Sequence, residues 1–162
     1  MHKVLLFDDR RQVHESLKLE LESKGMTVFP CRSVYRANEA WEKHKDYLDA
    51  IILDVMMPTY GLPDELSKMT NKGELTGWIW LWYALNPNNE AEHPAAGKCI
   101  VVYSAYYALE KHLDSEFADA AEKHFSSRAM IIKKGDSKQE DDIINKIISD
   151  RKVFFRGIYD RE

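Results

Sequence analysis

The stretch Asp49–Pro58, with the sequence DAIILDVMMP, is an apolar run that ends on a carboxylate. Residues 51–53 are apolar without polar alternation, which predicts a short strand buried on both faces. Asp54 then stands at the carboxyl end of this strand, and Pro58 prevents the strand from continuing. In open α/β sheets, ligands bind at the edge formed by the carboxyl ends of the strands. Asp54 is therefore either a simple turn residue or part of a ligand site.

Other apolar runs alternate with helical patterns along the chain. The alternation predicts an α/β fold, with a five-stranded parallel sheet, right-handed crossovers and helices on both faces. Pro30 predicts that the second strand lies at an edge of the sheet. The other predicted strands are Val4–Phe7, Thr27–Cys31, Cys99–Tyr103 and Met130–Ile132. The predicted helices are Arg11–Lys24, Ser33 to about His44, Trp78–Leu85, one helix or two within Tyr106–Phe125, and a last helix capped by Asp136 or Ser137.

Residues 59–76 form an insertion of 18 residues after Pro58, whereas strand-to-helix loops in such folds usually have about 2–6. The insertion is rich in turn residues, although Asp64–Met69 could form one or two helical turns. The helix that follows has an apolar stripe of Trp78, Leu81, Trp82 and Leu85, which we expect to face the sheet. Its remaining apolar residues, Ile79, Trp80 and Tyr83, then need a cover, from the insertion or from a second protein.

Polar residues follow four of the predicted strands. Because the carboxyl ends of parallel strands meet at one edge, we expect these residues to lie close together. Neighbouring carboxylates repel one another, and Mg²⁺ bound by oxygen ligands removes that cost. A lysine and a hydroxyl at the same edge suit a phosphoryl group. The pattern predicts a site for Mg²⁺ and a phosphoryl group, made by Asp8, Asp9, Asp54, Ser104 and either Lys133 or Lys134.

Composition excludes several classes of protein. The chain has 162 residues, of which 44% are apolar and 31% charged, and its formal net charge is −4. That charge argues against a nucleic-acid-binding surface. Cys31 and Cys99 have no metal-ligand spacing and are expected to be buried free thiols in a reducing compartment. Without a signal peptide or an apolar stretch of ~20 residues, we expect a cytoplasmic protein, with its six histidines on the surface.

The chain resembles the receiver domain of bacterial response regulators, the CheY-like family. Four motifs in family order support the resemblance: VLLFDD at 4–9, LDVMMP at 53–58, VVYSA at 101–105 and IIKK at 131–134. The resemblance covers residues 1–150, apart from the insertion, and leaves 151–162 as an extension. It implies the flavodoxin-like fold with strand order 2-1-3-4-5.

The resemblance also implies the chemistry of the site. Asp54 would accept a phosphoryl group from a sensor histidine kinase or a phosphotransfer protein. Asp9 and Asp54 would bind Mg²⁺ directly, with the backbone carbonyl of Met56 as a third protein ligand and Asp8 acting through water. Such a domain catalyses its own phosphorylation and is not a turnover enzyme.

Ser104 would hydrogen-bond the phosphoryl group, and a lysine would pair with it. We favour Lys134, because Lys-Gly-Asp leads directly into the last helix, and keep Lys133 as the alternative. With only 12 residues after Asp150, we expect a stand-alone receiver without a DNA-binding output domain. It would signal through protein–protein contacts, without nucleic acid or membrane, and the output protein and a homodimer both remain open.

Two rival functions follow from departures within the chain. The family's aromatic switch position is Ile131 here, which together with the insertion favours a non-phosphorylated pseudoreceiver that acts as a protein-interaction module. An aspartyl-phosphate phosphohydrolase commonly needs a second acid two residues after its nucleophile. That position is Met56, which disfavours this enzyme.

Overall fold

A single five-stranded parallel sheet forms the centre of the protein. The computed structural model describes residues 1–104, 129–133 and 141–148. The strand order β2-β1-β3-β4-β5 confirms the predicted topology and puts Pro30 in an edge strand. The strands are β1 Lys3–Phe7, β2 Thr27–Cys31, β3 Ala50–Leu53, β4 Cys99–Ser104 and β5 Ala129–Lys133.

Helices connect the first four strands. Ser33 caps one of them as predicted, because its Oγ accepts a hydrogen bond of 3.2 Å from the Arg36 backbone N–H. Residues 105–128 and 134–140, with the predicted Tyr106–Phe125 helix and the cap at Asp136 or Ser137, lie outside the described residues, as does the extension 151–162. The described helices are α1 Arg11–Ser23, α2 Val34–His44, α3 Asp64–Met69, α4 Thr76–Ile79 and α5 at 141–148, and α4 continues directly into a π-helical segment, Trp80–Ala84.

The sheet is covered on both faces, which confirms the doubly wound architecture. Successive residues of a strand point to opposite faces. Leu5 and Phe7 of β1 therefore pack with α2, α4 and the π segment, whereas Val4 and Leu6 pack with α1 and α5. Among the described residues, none lies in a helix long and apolar enough to cross a bilayer.

The aromatic segment Trp78–Leu85 is oriented differently from the prediction. Trp80 was expected to point partly away from the sheet, but it is fully buried and its ring meets Phe7 of β1 edge-on at 5.0 Å. Its indole N–H donates to Asn38 Oδ1 at 2.8 Å. The prediction assumed regular α-helical spacing, and the i→i+5 bonding of the π segment changes the angle between successive side chains. Tyr83 alone in the segment is strongly exposed, at 45%.

The insertion supplies the cover that the aromatic segment needs. Asp64–Met69 forms a helix as considered, and Leu62 and Leu75 join the same apolar cluster as Trp78 and Trp80. The insertion therefore provides this cover and helps to complete the core of one face of the sheet, which is one of the two alternatives that the sequence left open.

The expectation that all histidines lie on the surface is wrong for His14 and His93, which are 5% and 2% exposed. The Ala95 N–H donates to Nδ1 of His93 at 3.0 Å, so Nε2 has the proton and donates to the Leu81 carbonyl at 2.7 Å. The side chain thus satisfies a carbonyl near the end of the π segment.

Both cysteines are buried free thiols, as predicted. Burial raises the pKa of the Cys31 thiol to about 12. A protonated and inaccessible thiol is a poor nucleophile. We therefore expect neither Cys31 nor Cys99 to react with an aromatic disulfide reagent at pH 8 in the native protein, and both to react in denaturant. Rapid reaction of either thiol in the native state would contradict the burial.

Truncation of Trp80 tests the core of the aromatic segment. Trp80→Ala should lower the free energy of unfolding by about 3–5 kcal/mol, because it removes a fully buried ring. The matched control is Tyr83→Ala, on the same segment but half-exposed, for which we expect a change of about 0.5 kcal/mol or less. Urea denaturation followed by circular dichroism measures both, and equal losses would contradict the orientation described.

Candidate functional site

The candidate site lies where β1 and β3 end side by side. Phe7 and Leu53 are paired in the parallel register, so the next residues along each strand, Asp8 and Asp54, emerge at the same edge. The backbone N–H of Asp54 donates to the Phe7 carbonyl at 2.8 Å, and the N–H of Asp8 donates to the Cys31 carbonyl at 3.1 Å. The sheet ladder thus fixes the main chain at both acids.

Three carboxylates meet at this edge, as the sequence predicts. Asp8, Asp9 and Asp54 each offer one oxygen, and these atoms lie within 4.8 Å of one another. Asp8 is 2% exposed and Asp54 is 1% exposed, while Asp9 is partly buried. Like charges this close and this poorly hydrated repel strongly. All the donors are hard carboxylate oxygens, so the cluster fits a divalent cation such as Mg²⁺.

Local hydrogen bonds orient the first of these acids. The backbone N–H of Arg10 donates to Oδ1 of Asp8 at 2.9 Å, which forms an Asx-type turn between β1 and α1. The bond fixes the orientation of this carboxylate at the carboxyl end of β1.

His14 lies next to the cluster and was not predicted there. It occupies the same helical stripe as Leu17 and Leu21, and that spacing was the signal that could have predicted its burial. Burial lowers the pKa of His14, an effect that the charge of Asp8 partly opposes. The imidazole is therefore biased towards its neutral form beside the acids.

Met56 lies in the loop after Asp54, and the insertion contacts that loop. The backbone N–H of Met57 donates to the Gly73 carbonyl at 3.1 Å, and the N–H of Gly77 donates to the Val55 carbonyl at 3.0 Å. The two residues on either side of Met56 are thus bonded to the insertion and the start of α4.

The remaining predicted residues are described only in part. Ser104 ends β4 and Lys133 ends β5, and the two are paired in the parallel register. Their backbones therefore lie at the same edge of the sheet as the acids, but the side chains of both lie outside the described residues, as does the whole of Lys134.

Comparison with solved structures shows the fold of response-regulator receiver domains. A CheY-like receiver domain protein from Methanospirillum hungatei is 22% identical, with a TM-score of 0.59, and the match covers 99% of this chain and 98% of that one. The chemotaxis response regulator CheY4 of Vibrio cholerae is 18% identical, with a TM-score of 0.61 and coverage of 91% and 98%.

A third neighbour was solved as a complex with a ligand. TrrA of Thermotoga maritima, in complex with Mg²⁺-BeF, is 20% identical, with a TM-score of 0.55 and coverage of 91% and 99%. No family model matches the sequence, and no curated protein matches it. At these identities the likeness establishes the fold.

Neutralising one acid tests the repulsion within the cluster. In metal-free buffer, Asp54→Asn should raise the melting temperature by about 3 °C, because it relieves ~1 kcal/mol of repulsion. Added Mg²⁺ should stabilise the wild type and stabilise the variant much less, since binding to the native state alone shifts unfolding. Calorimetry measures both effects.

The control for this prediction is Asp64→Asn, an exposed acid in the first turn of α3. It should leave the Mg²⁺ response unchanged and should slightly lower the melting temperature. The same Mg²⁺ response in wild type and Asp54→Asn would contradict a cation site at the three acids.

Proposed function

We propose that this chain is a receiver domain of a two-component phosphorelay, in which Asp54 accepts a phosphoryl group from a sensor histidine kinase or a phosphotransfer protein. The observation that supports this most strongly is the geometry of Asp54. Its carboxylate lies at the carboxyl edge of a receiver-type sheet, with Asp8 and Asp9 within 4.8 Å. The domain would then signal through protein–protein contacts.

In the proposed reaction, an oxygen of Asp54 attacks phosphorus as the bond between phosphorus and the donor's imidazole nitrogen breaks. The product is an acyl phosphate on Asp54, and the imidazole leaves with the electron pair. Bound Mg²⁺ would neutralise charge on the transferred group. Asp9 and Asp54, with the Met56 carbonyl, would hold the cation directly, and Asp8 would hold it through water.

Ser104 and Lys134 are the residues that we propose to hold the phosphoryl group. The Ser104 hydroxyl would donate to a phosphoryl oxygen, and the Lys134 ammonium would pair with another. Lys133 remains the alternative, and the register of β5 with β4 puts its backbone opposite Ser104.

A pseudoreceiver is the second candidate, and one observation favours it. Asp54 is only 1% exposed, and a phosphodonor has to reach its carboxylate. With Ile131 at the usual aromatic switch position, a protein-interaction module that keeps the fold without the chemistry is a consistent alternative.

Intact mass spectrometry separates these two functions. Incubation with Mg²⁺ and acetyl phosphate should add the mass of one phosphoryl group to the wild type. It should add nothing to Asp54→Asn, nor to the wild type when the metal is chelated. A wild type that stays unmodified, while a known receiver reacts in the same tube, would favour the pseudoreceiver.

The same assay assigns the lysine. Lys134→Ala should reduce the phosphorylated fraction about tenfold or more, because it removes a charge-assisted contact of roughly 1.5–3 kcal/mol. Lys133→Ala is the matched control and should change the fraction little. A larger loss in Lys133→Ala would reverse the assignment.

A further inference from the structure

The loop that follows β3 is hydrogen-bonded to the insertion and to the start of α4 on both sides of Met56. We define residues 54–57 as the acceptor loop. Besides the two backbone bonds from Met57 and Gly77, the Thr76 hydroxyl donates to the Met57 carbonyl at 2.5 Å. Thr76 is fully buried, so this bond is shielded from competing water.

Gly73 and Gly77 allow their backbone to approach the backbone of the acceptor loop this closely. A Cβ at Gly77 would lie 1.8 Å from the Asp54 carbonyl oxygen, and a Cβ at Gly73 would lie 2.8 Å from the Met57 carbonyl oxygen. Gly73 also has a φ of +94°, which side chains other than glycine rarely adopt. The insertion and the acceptor loop are thus in direct main-chain contact.

We propose that Thr76, together with the backbones of Gly73 and Gly77, positions the acceptor loop, so that the insertion sets the cation affinity of the site at Asp54. This inference rests on the proposed function, because it concerns the same site. Thr76 is a positioning residue in this account and touches neither the cation nor the phosphoryl group.

The physical reason is the cost of ordering the loop. A cation bound by Asp54 and the Met56 carbonyl needs both groups at fixed positions. If the loop is already held by the insertion, binding does not have to order it. By linkage, a cation that binds the ordered loop stabilises the insertion to the same extent.

The test compares three variants with the wild type. Thr76→Val has nearly the same shape but removes the hydroxyl donor, and Thr76→Ser restores it. Asn86→Ala is the matched control, since Asn86 is also a buried polar residue, but its side chain bonds to the backbone of Glu90, beyond the end of the π segment. Calorimetric titration with Mg²⁺ alone gives the affinity, and amide hydrogen exchange of Met57 and Gly77 reports the loop contacts without metal.

We expect Thr76→Val to weaken Mg²⁺ binding about tenfold, equivalent to ~1.4 kcal/mol, and to speed exchange at Met57 and Gly77. Thr76→Ser should behave like the wild type. Asn86→Ala should lower the melting temperature with less than about a twofold change in affinity. Equal loss of affinity in Thr76→Val and Asn86→Ala, or unchanged exchange in Thr76→Val, would overturn the inference.

If Thr76→Val does not fold, hydrogen exchange of the wild type tests the inference. Amide protection across residues 70–77 should rise when Mg²⁺ is added, and no change would overturn the inference. A wild type that binds no Mg²⁺ and is not phosphorylated would refute the proposed function as well. A wild type that does both, with Thr76→Val indistinguishable from Asn86→Ala, would refute only the role of Thr76.

Discussion

The hydrogen bond from the Asp54 N–H to the Phe7 carbonyl, at 2.8 Å, is the interaction on which the site depends. It is the last backbone hydrogen bond between β1 and β3. It therefore brings Asp54, which follows β3, next to Asp8 and Asp9, which follow β1. The cost is electrostatic, since three carboxylates are brought within 4.8 Å in a poorly hydrated place. A protein retains such a cluster at a cost in stability, which a bound cation would offset.

The insertion and the aromatic segment form a unit that supports this edge. The ring of Trp80 packs edge-on against Phe7. The carbonyl of Phe7 accepts the hydrogen bond from the Asp54 N–H. Thr76 and Gly77, a few residues before Trp80, contact the main chain just beyond Asp54. The packing of the aromatic segment and the placement of the acids are therefore coupled. A change in the packing of Trp80 should shift Thr76, which lies four residues earlier in the same helical segment, and with it the main chain just beyond Asp54.

Much of this arrangement could be predicted from local sequence. Runs of three to five mainly apolar residues predicted the strands, because burial on both faces removes the polar alternation. Asp8, Asp9 and Asp54 could be placed together because parallel strands end at one edge. The role of Ser33 could be predicted because an N-cap depends only on residues three apart.

The burial of His14 could have been predicted from its helical spacing, whereas the other features that the sequence did not reveal depend on distant contacts or on irregular backbone. Trp80 turned towards the sheet because a π segment interrupts the regular helix, and the letters WLWYA do not distinguish the two. His93 is buried because it satisfies the Leu81 carbonyl 12 residues away. The bond from Thr76 to Met57 crosses 19 positions, and local propensity has no information about such a pairing.

Pro30 in the edge strand β2 has a consequence for self-association. The bonds from the Thr27 N–H to His2 and from the Asp8 N–H to Cys31 show that odd-numbered residues of β2 face β1, so Val28 and Pro30 face outwards. Pro30 has no N–H, which leaves Val28 as the outward backbone donor within β2. A strand from another molecule that paired with β2 would find a backbone N–H donor for only half of its carbonyl acceptors. β2 therefore resists edge-to-edge aggregation into a continuous intermolecular sheet.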